Sequence, residues 1–247
     1  NGGTVVLWSD DVTRTAAAIS ARGGTQAGNG GKVETSGHYL AVSSAADVAA
    51  PKGKAGDWLL DPYDVTIQAT TGVLDGLSPN FLAGTLSSTV SVGVIQTALN
   101  AGTSVTISTT NSTIGTDAGN ITVNSPISAS GPPGTALTLN AANDININQP
   151  ITSGSNALNL VLNHGTSGSN KATLAASVDA NVNVGTYNSA GSVSSGAGKL
   201  QVDSGSYTLA GSLVANQLEV AGGSLTLDNG TTATLVSGSI SSGGSLT

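Results

Sequence analysis

The phrase GGTVVLW (2–8) restarts as GGKVETSG (30–37) and again as AGDWLLD (55–61). The apolar centres of the three phrases are Val5, Val33 and Trp58, so the same phrase returns at nearly even steps. Further along, ITVNSPISASG (121–131) recurs as ININQPITSGS (145–155), which makes Asn148 the equivalent of Asn124 at a similar step. Between these, ALTLNAAND (136–144) is answered by ALNLVLNHG (157–165). The last third is looser, with GSL at 211, 223 and 244 and the phrases KLQV, QLEV and SLTL. A unit of twenty-odd residues with two or three short strands cannot bury its apolar face alone. It is buried only by stacking on its neighbours, which is the logic of a solenoid.

Composition decides what kind of solenoid. Charged residues are 9% of the chain, far below the roughly 25% of an ordinary domain, and the surface helix formers are scarce with them. Hydrophobic residues at 38% argue against disorder. Val, Ile, Leu and Thr remain for strands, and Gly, Asn, Asp and Ser for turns, so the expectation is an all-β chain. Rungs of about 20–28 residues, roughly 4.8 Å apart, would give on the order of ten rungs and a rod about 50 Å long. Ile121, Val123 and Ile127, or Leu137 and Leu139, are expected inside, with the Thr, Ser and Asn between them facing water. A thin core has little room for large rings, which suits one Phe and two Trp.

The whole of 1–247 reads as one solenoid. Residues 1–70 form the first rungs, 71–110 an irregular insert, and 111–247 the repeat rungs. Within the insert, Val94, Ile95, Ala98 and Leu99 fall at helical spacing and Asn100 and Gly102 form a stop. A short helix is expected near 91–100, capping or decorating the side of the rod. Asn124 and Asn148 are expected to form a side-chain ladder between rungs, each amide donating one way and accepting the other, with Asn140 and Asn143 as further candidates. Asn is also expected there because it tolerates a left-handed corner. The prolines two positions later belong at corners, where no ladder donor is needed.

The absence of Cys excludes a disulfide scaffold and Cys-ligated metal. No apolar run reaches the roughly 18 residues of a membrane-spanning helix. NGGTVVLW has no basic region followed by an apolar stretch, so no signal peptide is read and the chain looks like a piece of something longer. A net charge of −7 with seven basic residues makes nucleic acid an unfit partner.

The run GGTVVLWSDDVTRTAAAISARGGTQAGNGGKVETSGHYLAVSSAADVAAPKGKAGDWLLDPYDVTI resembles the stretch after the amino-terminal secretion domain of filamentous-haemagglutinin-like exoproteins. These are two-partner secretion adhesins, including the high-molecular-weight adhesin type. GNITVNSPIS and LTLNAANDININQPI resemble the repeats that follow it, so the likeness covers roughly residues 1–165. It implies a right-handed parallel β-helix, export through an outer-membrane two-partner-secretion transporter, and a secreted, cell-surface role. The Asn-Pro-Asn motifs of that family's secretion domain are not in this sequence.

The densest chemistry is AGDWLLDPYDVTI (55–67). Asp61, Pro62, Tyr63 and Asp64 are read as a structural corner: Pro62 turns the chain, the two Asp cap free N–H groups, and Trp58 and Tyr63 cover the core beside it. Two Asp and a Tyr are too few oxygens for Ca²⁺. His38 and His164 are read as surface or corner residues, since no nucleophile elbow accompanies them. A polysaccharide-cleaving β-helix enzyme would cluster Asp with Arg or Lys, but Arg14 and Arg22 have only Asp10 and Asp11 near them in sequence. GGTQAGNGG (23–31) lacks the ending of a phosphate loop. Asn111, Asn120 and Asn229 begin sequons that could accept sugar. Trp8, Trp58 and Tyr63 are candidate stacking platforms for glycans.

The first expectation is therefore a non-catalytic shaft of a surface adhesin, without cofactor or metal, meeting host or neighbouring-cell glycans or proteins. The alternatives are a filament subunit pairing end to end, and the polysaccharide-cleaving enzyme.

Overall fold

The computed structural model describes residues 1–69, 88–109, 117–153 and 158–165 continuously. Beyond 165 it describes residues 172–174, 178–179, 181–184, 193–194, 199–202, 206–209, 212–220, 224–227, 232–240 and 244–247.

The chain winds as a parallel β-solenoid with three walls. Rung one is β1 (Thr4–Trp8), β2 (Val12–Thr15) and β3 (Ile19–Ser20), and rung two is β4 (Lys32–Ser36), β5 (Tyr39–Val42) and β6 (Ala46–Asp47). Rung three begins with β7 (Asp57–Asp61) and β8 (Val65–Gln68), then continues from residue 88 as β9 (Ser88–Ser91) and α1 (Val92–Asn100). Rungs four to six are β10 (Ser104–Ser108), β11 (Ile121–Val123), β12 (Ile127–Ala129), β13 (Ala136–Asn140), β14 (Ile145–Ile147), β15 (Ile151–Ser153), β16 (Asn159–Asn163), β17 (Ala172–Leu174) and β18 (Val178–Asp179). The later rungs are built from β19 (Asn181–Val184), β20 (Val193–Ser194), β21 (Lys199–Val202), β22 (Ser206–Leu209), β23 (Ser212–Val220), β24 (Ser224–Leu227), β25 (Thr232–Ile240) and β26 (Ser245–Leu246).

The strand pairs of the three walls are parallel, and the register follows the repeat phrases. On the first wall Val5 lies on Val33 and Val33 on Trp58. Trp58 lies on Val105, Val105 on Leu137 and Leu137 on Leu160. The wall continues through β19, β21, β23 and β25. On the second wall Ile121 lies between Val65 and Ile145, and on the third Ile127 lies on Ile151. The two phrases at 136 and 157 stack with a shift of two residues, Ala136 on Asn159. A shift of two keeps every side chain on its original face, where a shift of one would turn the strand inside out.

Alternation builds the core. In β7, β10 and β13 every second residue is buried, giving Trp58 and Leu60, Val105 and Ile107, and Leu137 and Leu139, all fully enclosed. The second wall adds Val65, Ile67, Ile121, Val123, Ile145 and Ile147 to one continuous cluster. Burying each such side chain is worth about 1.5–3 kcal/mol. Glycine sets the corner between the third and first walls. Gly31 N–H donates to Ala21 O (2.8 Å) and, one rung on, Gly56 N–H donates to Val48 O (2.9 Å). A Cβ on Gly31 or Gly56 would collide with the carbonyl oxygen of Gly3 or Gly31, so the backbones stack there only without side chains.

Three expectations need correction. The helix does not cap or decorate the rod; it replaces a strand in the third wall. Ile95, Ala98 and Leu99 enter the core, while Gln96 Nε2 donates to Ser128 O (3.1 Å) and Asn100 Oδ1 accepts from Ser130 N–H (2.7 Å). Rung length also strays outside the expected range, in both directions. Trp58 pairs with Val105, a far longer step along the chain than that from Val33 to Trp58, whereas Val182, Leu200 and Leu218 follow one another at shorter steps. The long step carries β9 and α1; in the short step from Leu200 to Leu218, β23 runs from third wall to first in one strand, pairing β20 and then β21. Finally, no described residue other than Gly has positive φ, so Asn is not at these corners for left-handed backbone.

β9 breaks the sequential order of the second wall. It is inserted between β5 and β8, with Thr89 beside Ala41 on one side and Thr66 on the other. Ser88 completes the splice: its Oγ accepts from Leu40 N–H (3.0 Å). The second wall thus gains one strand layer, about 4.8 Å. A helix is about 10 Å across, so α1 supplies matching height on the third wall.

Candidate functional site

The chemistry gathers at the corner between the first and second walls. Residues 9–11, 37–38 and 62–64 occupy this corner in rungs one to three. Tyr39 N–H donates to Asp11 O (2.9 Å), Tyr63 N–H to His38 O (3.2 Å) and Gly37 N–H to Asp61 O (3.2 Å), so the three turns stack by backbone bonds.

His38 is the hub. Its ring lies 4.2 Å from that of Tyr39 and 4.0 Å from that of Tyr63, and its Nε2 meets Asp117 Oδ2 at 2.8 Å. The imidazole is half-buried in this stack and is not a loose surface group. His164, just past the end of β16, is likewise at a corner. It is buried, with Nδ1 2.7 Å from Gly165 O and Nε2 without a partner among the described residues, and burial lowers its pKa.

The two carboxylates of the corner behave differently. Asp64 Oδ1 accepts from the N–H groups of Gly119 and Asn120, each at 2.6 Å. It caps donors, but those of the next rung, and Gly119 takes φ +83° to present them. Burial raises the Asp64 pKa despite these bonds and outweighs them. Asp61 caps nothing through Oδ1, which is buried without a partner among the described residues. Burial and then the Glu34 carboxylate raise its pKa. Pro62 is buried at the turn between β7 and β8.

Trp58 is not a stacking platform for a ligand. It is fully buried, the largest such side chain in the core, and its indole N–H donates to Thr35 Oγ1 (3.2 Å). Trp8 points outward with 63% of its surface exposed. Trp8 and Tyr63 share a cleft of about 180 Å³ with Ser9, Asp10, Ser36, Gly37, His38 and Asp61.

Side-chain amides climb the rod. Asn148 Nδ2 donates to Asn124 Oδ1 (2.9 Å), Asn143 Nδ2 to Asn120 Oδ1 (2.8 Å) and Asn163 Nδ2 to Asn140 Oδ1 (2.8 Å). Asn120 Oδ1 also accepts from Asp144 N–H, so this half-buried sequon amide serves the ladder and is a poor place for a sugar. Asn111 and Asn229 lie outside the described residues. Sequence reasoning misses one column: Asn1 Oδ1 accepts from Asn29 N–H (2.8 Å) and Asn29 Oδ1 from Lys54 N–H (3.0 Å). Asn1 and Asn29 stand apart by the same step as Val5 and Val33, and that equality is the signal that could have found them.

Arg22 pairs with Asp47 (2.6 Å) in the open, far from the corner cleft in the winding, and Arg14 is exposed on β2. Among the described residues no group of three His, Cys, Asp or Glu side chains is arranged to hold a metal ion, and no helix is long and apolar enough to cross a membrane. No protein-family model matches the chain, and no curated protein matches it. The likeness to the exoproteins therefore rests on the quoted residues alone.

Proposed function

We propose that this chain is a shaft segment of a secreted bacterial surface adhesin of the filamentous-haemagglutinin-like class, without catalytic activity. The observation that supports it is the unbroken parallel register of the first wall, from β1 to β25. A solenoid gives length per residue, and its stacked bonds share load along the axis. Export through an outer-membrane two-partner-secretion transporter and contact with glycans or proteins of a host or neighbouring cell belong to the same reading. The test is adherence: beads coated with the chain should bind cells and be displaced by the soluble chain. Protease added to intact bacteria should also remove the parent protein. Beads that never adhere, or release of sugar ends from acidic polysaccharide by the pure chain, would count against it.

A further inference from the structure

The cleft under Trp8 combines three features. It joins an exposed indole to a phenol ring. Its charged walls are Asp10 and Asp61, with Glu34 close behind through its bond to the Ser36 hydroxyl (2.8 Å). No Lys or Arg is among its described lining residues, and the one cationic candidate, His38, is already matched by Asp117. The exposure of Trp8 comes from its facing: Thr4, Val6 and Trp8 are the outward row of β1, and Trp8 stands in register with Ser36 and Asp61 of the next two rungs.

We infer that this cleft takes the cationic end of an arginine or lysine side chain from a partner polypeptide. An indole face attracts guanidinium and ammonium groups. The carboxylate of Asp61, which lines the cleft and is crowded by Glu34, gains from an incoming positive charge. A neutral sugar would stack on Trp8 but leave that repulsion in place. Among the described residues a metal ion would lack a third His, Cys, Asp or Glu ligand here. The inference goes beyond the shaft reading and does not depend on it, since a rod of any purpose could carry such a contact.

Trp8 and Trp58 are the only tryptophans, and Trp58 is sealed in the core, so ligand-induced change in indole emission reports on Trp8. The probe is acetyl-Gly-Arg-Gly-amide, titrated beside the same peptide with citrulline, which keeps the shape and removes the charge. The expected result is saturable binding of the arginine peptide that weakens with salt. The citrulline peptide should bind at least about tenfold more weakly. Asp61→Asn should also weaken the arginine peptide about tenfold, and Trp8→Ala, followed by calorimetry, should remove most of its binding. The unchanged buried emission of Trp58 verifies folding in both variants. Equal binding of the citrulline peptide, or binding indifferent to Asp61→Asn in the folded variant, overturns the inference. So does saturation by methyl glucoside with no dependence on salt. Methylguanidinium binding as tightly as the peptide would overturn the polypeptide partner.

Discussion

Rungs two to four and rungs four to six obey the same register, yet they are held together differently. From β10 to β16 the outer corners are amide on amide, Asn163 to Asn140 and Asn143 to Asn120. From β4 to β10 the corner carries a histidine stacked on two tyrosines, an ion pair, a capping aspartate and another with one oxygen unmatched among the described residues. This is also where β9 is spliced into the second wall and α1 replaces a strand in the third. A regular stack can satisfy itself by repetition, because each amide meets its own equivalent one rung away. Where the winding is interrupted, no equivalent residue is available. The loose backbone ends are then tied by groups with more capacity: a carboxylate for two N–H groups, a ring for two faces.

The largest test of this contrast is in the core. Trp58→Ala should cost about 3–5 kcal/mol, against about 2–5 kcal/mol for Ile145→Ala in the regular rungs. Because solenoids need not unfold as one unit, amide hydrogen exchange is the suitable measurement. Trp58→Ala should loosen β4, β7 and β10 together and spare β14. Loss of protection spread evenly over both regions would erase the distinction.

Asp64 comes next. Asp64→Ala strands the N–H groups of Gly119 and Asn120 in a half-buried site, a loss of roughly 1–3 kcal/mol for each. Asp64→Asn keeps an acceptor oxygen and removes a charge that burial already disfavours, so it should cost much less. Exchange at Gly119 and Asn120 should rise steeply in the Ala variant alone. If both variants loosen equally, the charge matters and the capping account is wrong.

How much of this is legible in the sequence differs between the same two regions. In the regular rungs the constant repeat step places Asn124 under Asn148 and Ile127 under Ile151 correctly, since equal steps in sequence become equal positions when nothing intervenes. Reading Trp58 as a surface platform fails, although the repeat puts it in the column of Val5 and Val33. That reading weighs the size of the indole above its phase, and the alternation of β7 decides. The partners of Asp64 are not legible, because Gly119 lies far along the chain and an insertion comes between. The splice of β9 is equally hidden, since it reverses the order in which strands leave the chain and enter the wall.

Acid should separate the regions in opposite directions. Burial raises the carboxyls of Asp57, Asp61 and Asp64 above their ordinary 3.8, so just above that value the folded chain holds protons the unfolded chain has released. Lowering the pH through the raised range therefore favours folding around rung three. The His164 ring is lowered below 6.5, so as pH falls below 6.5 the unfolded chain takes up the proton first and rung six loses stability. Exchange measured at about pH 7 and about pH 5, corrected for intrinsic rates, should show residues 159–165 loosening while β7 holds. His164→Gln should abolish the loosening. Parallel changes in both regions would remove histidine burial as the cause.

The smallest effect belongs to the exposed ladder. Asn148→Ala removes one bond between solvent-accessible amides, and water can replace it, so the expected loss is about 0.5–1 kcal/mol. Its value lies in coupling. In a double-mutant cycle, Asn124→Ala and Asn148→Ala should be non-additive by a few tenths of a kcal/mol to about 1 kcal/mol, because the bond they share can be lost only once. Asn124 with Asn163, which belong to different columns, should be additive within about 0.3–0.5 kcal/mol. Additivity in the first pair would mean that the amides merely sit beside one another. The regular rungs would then be held by their backbone ladders and buried Ile and Leu, with repetition of Asn a consequence of the stacking and not a support for it.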